Sequence, residues 1–310
     1  MMADMLSALE QSILKTVAWF SLFETPVTVF EIWKWMLEPD RSYSLEETYA
    51  ALAGEGLRGH LFGERGYWSL RVRSARNAGD IGHFASVSER RARFLDAARK
   101  YAKLRRATRY LSILPWIEGV AAGNTLAWWN TRPESDIDLF IIARPGSIWL
   151  ARLFAVAPFA IFGKRPGASE IDSFCFSFFA TADALDLSAL ALQGGDPYLA
   201  YWARSLVPIL DRGGIFERFR TENAWATSEL PHSRRFDSQT SHFFAQPSNT
   251  RCWMVERIAR KIQMSRFPMR IRRMMNVDTC VVVTDRVLKF HDNDRREEYR
   301  DRLREITSYV

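Results

Sequence analysis

Cysteine is scarce in this chain of 310 residues: there are three, Cys175, Cys252 and Cys280. Their odd number and wide spacing, with no Cys-x-x-Cys pair, exclude a disulfide framework and a cysteine-based zinc site. Histidine is also sparse. Of the five, His83, His232, His242 and His291 are scattered at no metal-ligand spacing, so no catalytic or metal role is expected of them. Long apolar runs are missing. The longest, Ile148 to Gly163, is interrupted by Arg152 and falls short of the roughly 20 residues of a membrane helix, so it reads as a buried helix. The start, Met1-Met2-Ala3-Asp4, places an acid where a secretory leader carries positive charge. These absences predict a cytoplasmic chain that does not enter a membrane. No internal repeat is evident.

What is present is an aromatic-rich globular composition. Hydrophobic residues make up 47%, with 11 Trp and 21 Phe, which argues for a sizeable core and against disorder. The length suits about two domains. Net charge is +7, and residues 251–273 carry a surplus as large as that of the whole chain. Arg251, Arg257, Arg260, Lys261, Arg266, Arg270, Arg272 and Arg273 there face only Glu256. Such a stripe suits nucleic acid or another polyanion, or a solvated helix face packed on an acidic neighbour.

Leu6, Leu9, Ile13, Val17 and Phe20 recur at helical spacing. Thr28 caps a second helix predicted to run through Leu37, and Ser44-Leu45-Glu46-Glu47 is a capping box for a third. Leu57 to Phe62 and Tyr67 to Val72, joined by Gly63–Gly66, read as a β-hairpin. Three helices and a hairpin resemble a winged helix. The would-be recognition helix offers Glu46 and Glu47 but no Arg, Lys, Asn or Gln, so a structural or protein-contact role is favoured over reading DNA. Residues 74–87 read as a linker, and Ser88 to Leu114 as a long basic helix with solvent-facing charges.

The most informative stretch is Ser135-Asp136-Ile137-Asp138-Leu139-Phe140-Ile141-Ile142. With a strand's period of two, Asp136 and Asp138 share one face at the mouth of an apolar strand. Two neighbouring carboxylates repel unless a cation sits between them, and a hard divalent ion suits their oxygens. Upstream, Trp116–Ala122 reads as a strand that ends at Gly123-Asn124, followed by a short helical turn from Thr125. Downstream come a helix ending near Phe162, a basic loop with Lys164 and Arg165, and a strand from Glu170 to Phe179.

Ala122-Gly123-Asn124, eleven residues, then Asp136-Ile137-Asp138-Leu139 resembles the signature of the nucleotidyltransferase superfamily that includes DNA polymerase beta. One departure is Asn124, where the signature has a second Gly or Ser. The resemblance covers residues 88–180 and implies a metal-dependent transfer of a nucleoside monophosphate from a nucleoside triphosphate to a hydroxyl acceptor. It implies Mg²⁺ or Mn²⁺ held by Asp136, Asp138 and a third carboxylate on the neighbouring strand, for which Asp172 is the candidate and Glu170 the same-face alternative. Gly123, Asn124 and Thr125 would meet the triphosphate, with Lys164 and Arg165 as further contacts. The acceptor, a small molecule, protein or RNA, is not specified.

The expected architecture is α+β. It comprises a winged-helix-like domain (1–75), a nucleotidyltransferase domain with a small mixed sheet backed by helices (88–180), and a mostly helical C-terminal region (181–310). In that last region Pro197 to Leu210 is predicted as one helix, residues 226–249 as a loop and Thr279–Thr284 as a strand. The alternative reading is a catalytically degenerate domain that binds nucleic acid or, antitoxin-like, a protein.

Overall fold

The computed structural model describes residues 6–71, 86–164, 166–167, 171–233 and 253–308. Three short helices open the chain and share one starting device. Ser7, Thr28 and Ser44 each accept the backbone N–H three residues on, and a Glu at that position bonds back to the cap. These boxes start α1 (Ala8–Ser21), α2 (Val29–Lys34) and α3 (Leu45–Ala53). α2 stops short of the expected Leu37. Between α1 and α2 lies β1 (Val27–Thr28), and the hairpin is β2 (Leu61–Glu64) and β3 (Tyr67–Leu70). Its two turn residues, Arg65 and Gly66, have φ of 50° and 83°, the left-handed pair that matches strand twist in a tight hairpin. The three strands form an antiparallel sheet in the order β1-β3-β2.

After the linker expected at 74–87, most of which lies outside the described residues, helix and strand alternate. The order is α4 (Val87–Leu111), β4 (Ile117–Ala122), α5 (Asn124–Ala127), β5 (Ile137–Ala143), α6 (Ile148–Ile161), β6 (Phe174–Thr181) and α7 (Pro197–Ser205). Then follow β7 (Val207–Asp211), α8 (Ile215–Glu222), α9 (Trp225–Glu229), α10 (Trp253–Arg266), α11 (Met269–Met274), β8 (Val281–Val283), β9 (Val287–Phe290) and α12 (Arg296–Ser308). The six strands form one mixed sheet, β7-β4-β5-β6-β9-β8, in which only β5 and β6 run parallel.

The chain is thus mixed α and β, as expected, but residues 181–310 are not simply helical. They contribute β7, β8 and β9, half of the large sheet. The helix expected over Pro197–Leu210 ends at Ser205, and β7 follows directly. Pro208 is the physical reason: it lacks an N–H, breaks a helix interior and is accommodated on an edge strand. Most of the loop expected at 226–249 lies outside the described residues.

The sheet separates two cores. Phe140, Ile142 and Phe178 pack with Trp202, Phe216 and Phe219, and this core continues into α1, where Trp19 stacks on Tyr201 at 4.8 Å. On the other face Leu139, Ile141, Phe176 and Phe179 pack with Tyr101 and Leu104 of α4 and Trp149 of α6. The basic α4 leaves Arg91, Arg99, Arg105, Arg106 and Arg109 exposed, as expected, but buries three of its charges. Arg90 and Arg93 are buried and pair with Glu31 at 2.6 Å and Glu24 at 2.9 Å, tying α4 to the first helices. Lys100 is fully buried and donates to the carbonyls of Arg132 and Ser135, which shapes the loop leading into the acidic pair. Among the described residues, no helix is long and apolar enough to cross a membrane.

Candidate active site

β4 and β5 are antiparallel neighbours with Ala122 opposite Leu139, so the end of β4 lies beside the start of β5. There the Gly123 N–H donates to the Asp138 carbonyl at 3.1 Å. Glycine suits the close approach here, since a Cβ at Gly123 would sit 3.1 Å from the Trp202 indole nitrogen. Asn124 follows with a φ of 52°. Among residues with a side chain, Asn adopts this left-handed conformation most readily, which rationalises Asn where the resembled signature has Gly or Ser.

Asp136 and Asp138 are half-buried. Asp136 accepts a hydrogen bond from the Ser173 hydroxyl through Oδ1. Burial, reinforced by the Asp136 charge, raises Asp138 to about 6, against hydrogen bonds from the Asn124 amide and Cys175 thiol. No ion pair reaches either carboxylate among the described residues. The Asn124 amide oxygen in turn accepts from the Tyr198 hydroxyl at 3.2 Å, so α7 supports the turn. Burial, then the Asp138 charge, pushes the Tyr198 hydroxyl well above its ordinary pKa, so it remains a donor.

Asp172 immediately precedes Ser173, the hydroxyl donor to Asp136. The strand expected from Glu170 begins at Phe174, which leaves Asp172 in the preceding bend with φ of 57°. Its Oδ2 accepts from Arg99 at 2.6 Å and from Lys103, both on α4. Despite burial, these hydrogen bonds hold its pKa below the usual carboxylate range. Its other oxygen, Oδ1, is buried with no hydrogen-bond partner. Among the described residues, no three His, Cys, Asp or Glu side chains converge as a metal-binding group. Glu170 and Arg165 lie outside the described residues. Lys164 is exposed, and its carbonyl accepts the Phe174 N–H at 2.8 Å, placing the loop at the same end of the sheet as Ile137, the register partner of Phe174. Thr125 is half-buried, and its carbonyl accepts the Asn130 N–H at 2.9 Å.

The position facing Asp138 on β6 is Cys175. Burial, then the Asp138 charge, pushes this thiol up to about 12, so it is a neutral donor. The next register pair is Phe140 with Phe178, so β6 spends three residues where β5 spends two. Ser177 lies within this shift of register. Ser177 Oγ lies 3.1 Å from His291 Nε2, just beyond β9, and burial lowers that imidazole to about 3. Sequence reasoning assigned Cys175 and His291 no site role and did not single out Ser177 or Tyr198. The alternation Phe174-Cys175-Phe176-Ser177 carried a signal for Cys175 and Ser177: small polar residues at period two in an otherwise aromatic strand.

Trp128 and Trp129 are packed aromatics. Trp128 meets Phe20 and Phe23 edge-on, and Trp129 stacks on Phe94 at 4.8 Å. The basic segment spans α10 and α11. α10 buries Glu256, Ala259 and Gln263 and leaves Arg257, Lys261 and Arg266 exposed. Its lone acid faces the protein: Glu256 accepts the Trp149 and Leu150 N–H groups at 2.8 and 2.9 Å, capping α6 where Ser147 makes no side-chain cap. The neighbour under α10 is therefore the apolar α6 rather than an acidic surface.

No protein-family model, curated protein or solved structure matches this chain.

Proposed function

We propose that the Gly123–Asn124 turn and the Asp136–Asp138 pair form a metal-dependent nucleotidyltransferase site. The observation that carries this reading is the hydrogen bond from Gly123 N–H to the Asp138 carbonyl, which draws the glycine turn and the acidic strand together. The alternation α4-β4-α5-β5-α6-β6-α7 around a mixed sheet supports it. The helix and strand order of the first 70 residues likewise supports a winged-helix unit. The exposed side of its α3 carries Leu45, Glu46 and Tyr49, which suits a protein contact better than DNA.

The donor set fits a hard cation. Burial, with the Asp136 charge beside it, raises Asp138, and a shared Mg²⁺ or Mn²⁺ would offset both effects. Asp136 and Asp138 would hold it, and bound there it would act as a Lewis acid toward a phosphoryl oxygen. The chain's own groups supply the rest. The Asn124 amide, oriented by Tyr198, holds the Asp138 carboxylate in place. Lys164 stands at the same end of the sheet for an anionic group. The acceptor is a hydroxyl on a small molecule, protein or RNA.

A second reading, a nucleotide-binding module without transfer, is favoured by one observation: Cys175, not a carboxylate, faces Asp138, while Asp172 is engaged by Arg99 and Lys103. The test is incubation with Mg²⁺ or Mn²⁺, each α-labelled nucleoside triphosphate, and protein, RNA and metabolite fractions. Label transferred by the intact protein and lost in Asp136→Ala and Asp138→Ala, with unchanged melting curves, supports the transferase. Metal-dependent nucleotide binding without transfer supports the module, and neither activity overturns both.

A further inference from the structure

A cavity of about 840 Å³ lies between the first helices, the start of α4 and the α7–β7 junction. It is separate from the acidic pair, at the other end of α5. Asn124 begins that helix beside Asp138, and Trp128 and Trp129, which follow its last residue, line the cavity. The volume falls in the range of small-molecule sites, roughly 300–1,000 Å³.

We propose that this cavity binds a small amphipathic anion, with an aromatic or hydrocarbon body and one carboxylate or phosphate head. Aromatic walls argue for the body: Phe30, Trp35, Phe94, Trp128, Trp129 and Phe216 line the space. Trp128 also carries a buried indole N–H with no acceptor among the described residues. Charge argues for the head. Among the described residues, Lys34, Arg90, Arg91, Arg204 and Arg220 line the cavity against a single acid, Glu31. That acid is engaged by Arg90 at 2.6 Å, and Arg220 is occupied by Glu217. Arg91 is exposed and makes no ion pair among the described residues, which leaves its guanidinium free for an incoming anion. A neutral apolar ligand would leave the Arg91 guanidinium unanswered, and an inorganic anion would leave the aromatic walls wet.

The inference does not depend on chemistry at Asp136 and Asp138. The test is calorimetric titration of the full chain with 2-naphthoate, decanoate and decyl phosphate, each against its neutral alcohol. Fluorescence is followed in parallel, because Trp35, Trp128 and Trp129 line the site. Saturable one-to-one binding of at least one anion is expected, at least tenfold tighter than its alcohol. Arg91→Glu and Phe94→Ala, both at exposed positions, should each weaken it tenfold or more while the melting temperature stays unchanged. The aryl and alkyl arms identify the body, and the carboxylate and phosphate arms the head. Absence of saturable binding to every anion overturns the proposal. So does equal binding of the alcohols, or binding indifferent to both substitutions.

Discussion

Cys175 is the register partner of Asp138 across the parallel strands β5 and β6, and its thiol donates to the Asp138 carboxylate. A carboxylate at Cys175 would face Asp138 across the strands. The thiol there instead stabilises Asp138 as a hydrogen-bond donor.

This relationship makes Cys175→Asp informative. A third carboxylate beside Asp136 and Asp138 adds repulsion, so the variant should melt below the wild type in chelator. Mn²⁺ should restore it and bind at least tenfold more tightly than to the wild type, because an added charged ligand strengthens a hard-cation site. Melting curves with chelator and with Mn²⁺ measure both effects. A variant insensitive to Mn²⁺ would argue against metal binding at the pair.

The buried charges behind β9 should dominate stability. Arg296 is 3% exposed, pairs with Asp196 at 2.7 Å and Asp294 at 2.9 Å, and also bonds the Leu190 carbonyl and Thr279 hydroxyl. Asp196 is in turn the N-cap of α7. Arg296→Leu leaves two acids short of their partner and should cost about 3–5 kcal/mol. Urea unfolding measures this. A loss below about 1 kcal/mol would show that the network relaxes.

Glu256 should behave as a helix cap supplied from a distant segment. Glu256→Ala removes both acceptors at the start of α6 and should cost about 1–2 kcal/mol. Glu256→Gln keeps one good acceptor and should recover part of the loss. Equilibrium unfolding of the two variants separates this capping role from simple packing, for which Gln would be nearly neutral.

Glu229 predicts a pH dependence. Burial, with Glu38 and Asp196 nearby, raises its carboxyl to about 7 in the folded chain from 4.5. The folded state therefore holds this proton more tightly than the unfolded state. The resulting stability is fully present below pH 4.5 and is lost as pH rises through 7. Glu229→Gln should flatten the stability profile over that window. Melting temperatures taken at half-unit intervals of pH measure the difference, and an unchanged slope would contradict the assignment.

Local signals in the chain determined a good deal. The cap at Thr28, the capping box at Ser44, the hairpin turn within Gly63–Gly66 and the apolar run after Asp138 all act over a few residues. They were legible for that reason, apart from ends such as that of α2. The glycine turn and acidic pair were legible too, because their spacing matches two antiparallel strands joined by a short helix. Tertiary structure decided the rest. β7, β8 and β9 are short and gain stability only from pairing within the large sheet, so periodicity alone resolved β8 but missed its two companions. Asp172 was drawn to Arg99 and Lys103 because α4 passes beside it, a contact spanning about seventy residues of sequence. Asp138 meets Cys175, and Ser177 meets His291, only because parallel pairing and a shift of register set those distances. The sequence by itself determined which segments become helices and the first strands, and that an acidic pair stands where β5 begins. Which side chains surround those carboxylates was decided by long-range packing, because electrostatic and hydrogen-bond partners depend on distance in space rather than along the chain.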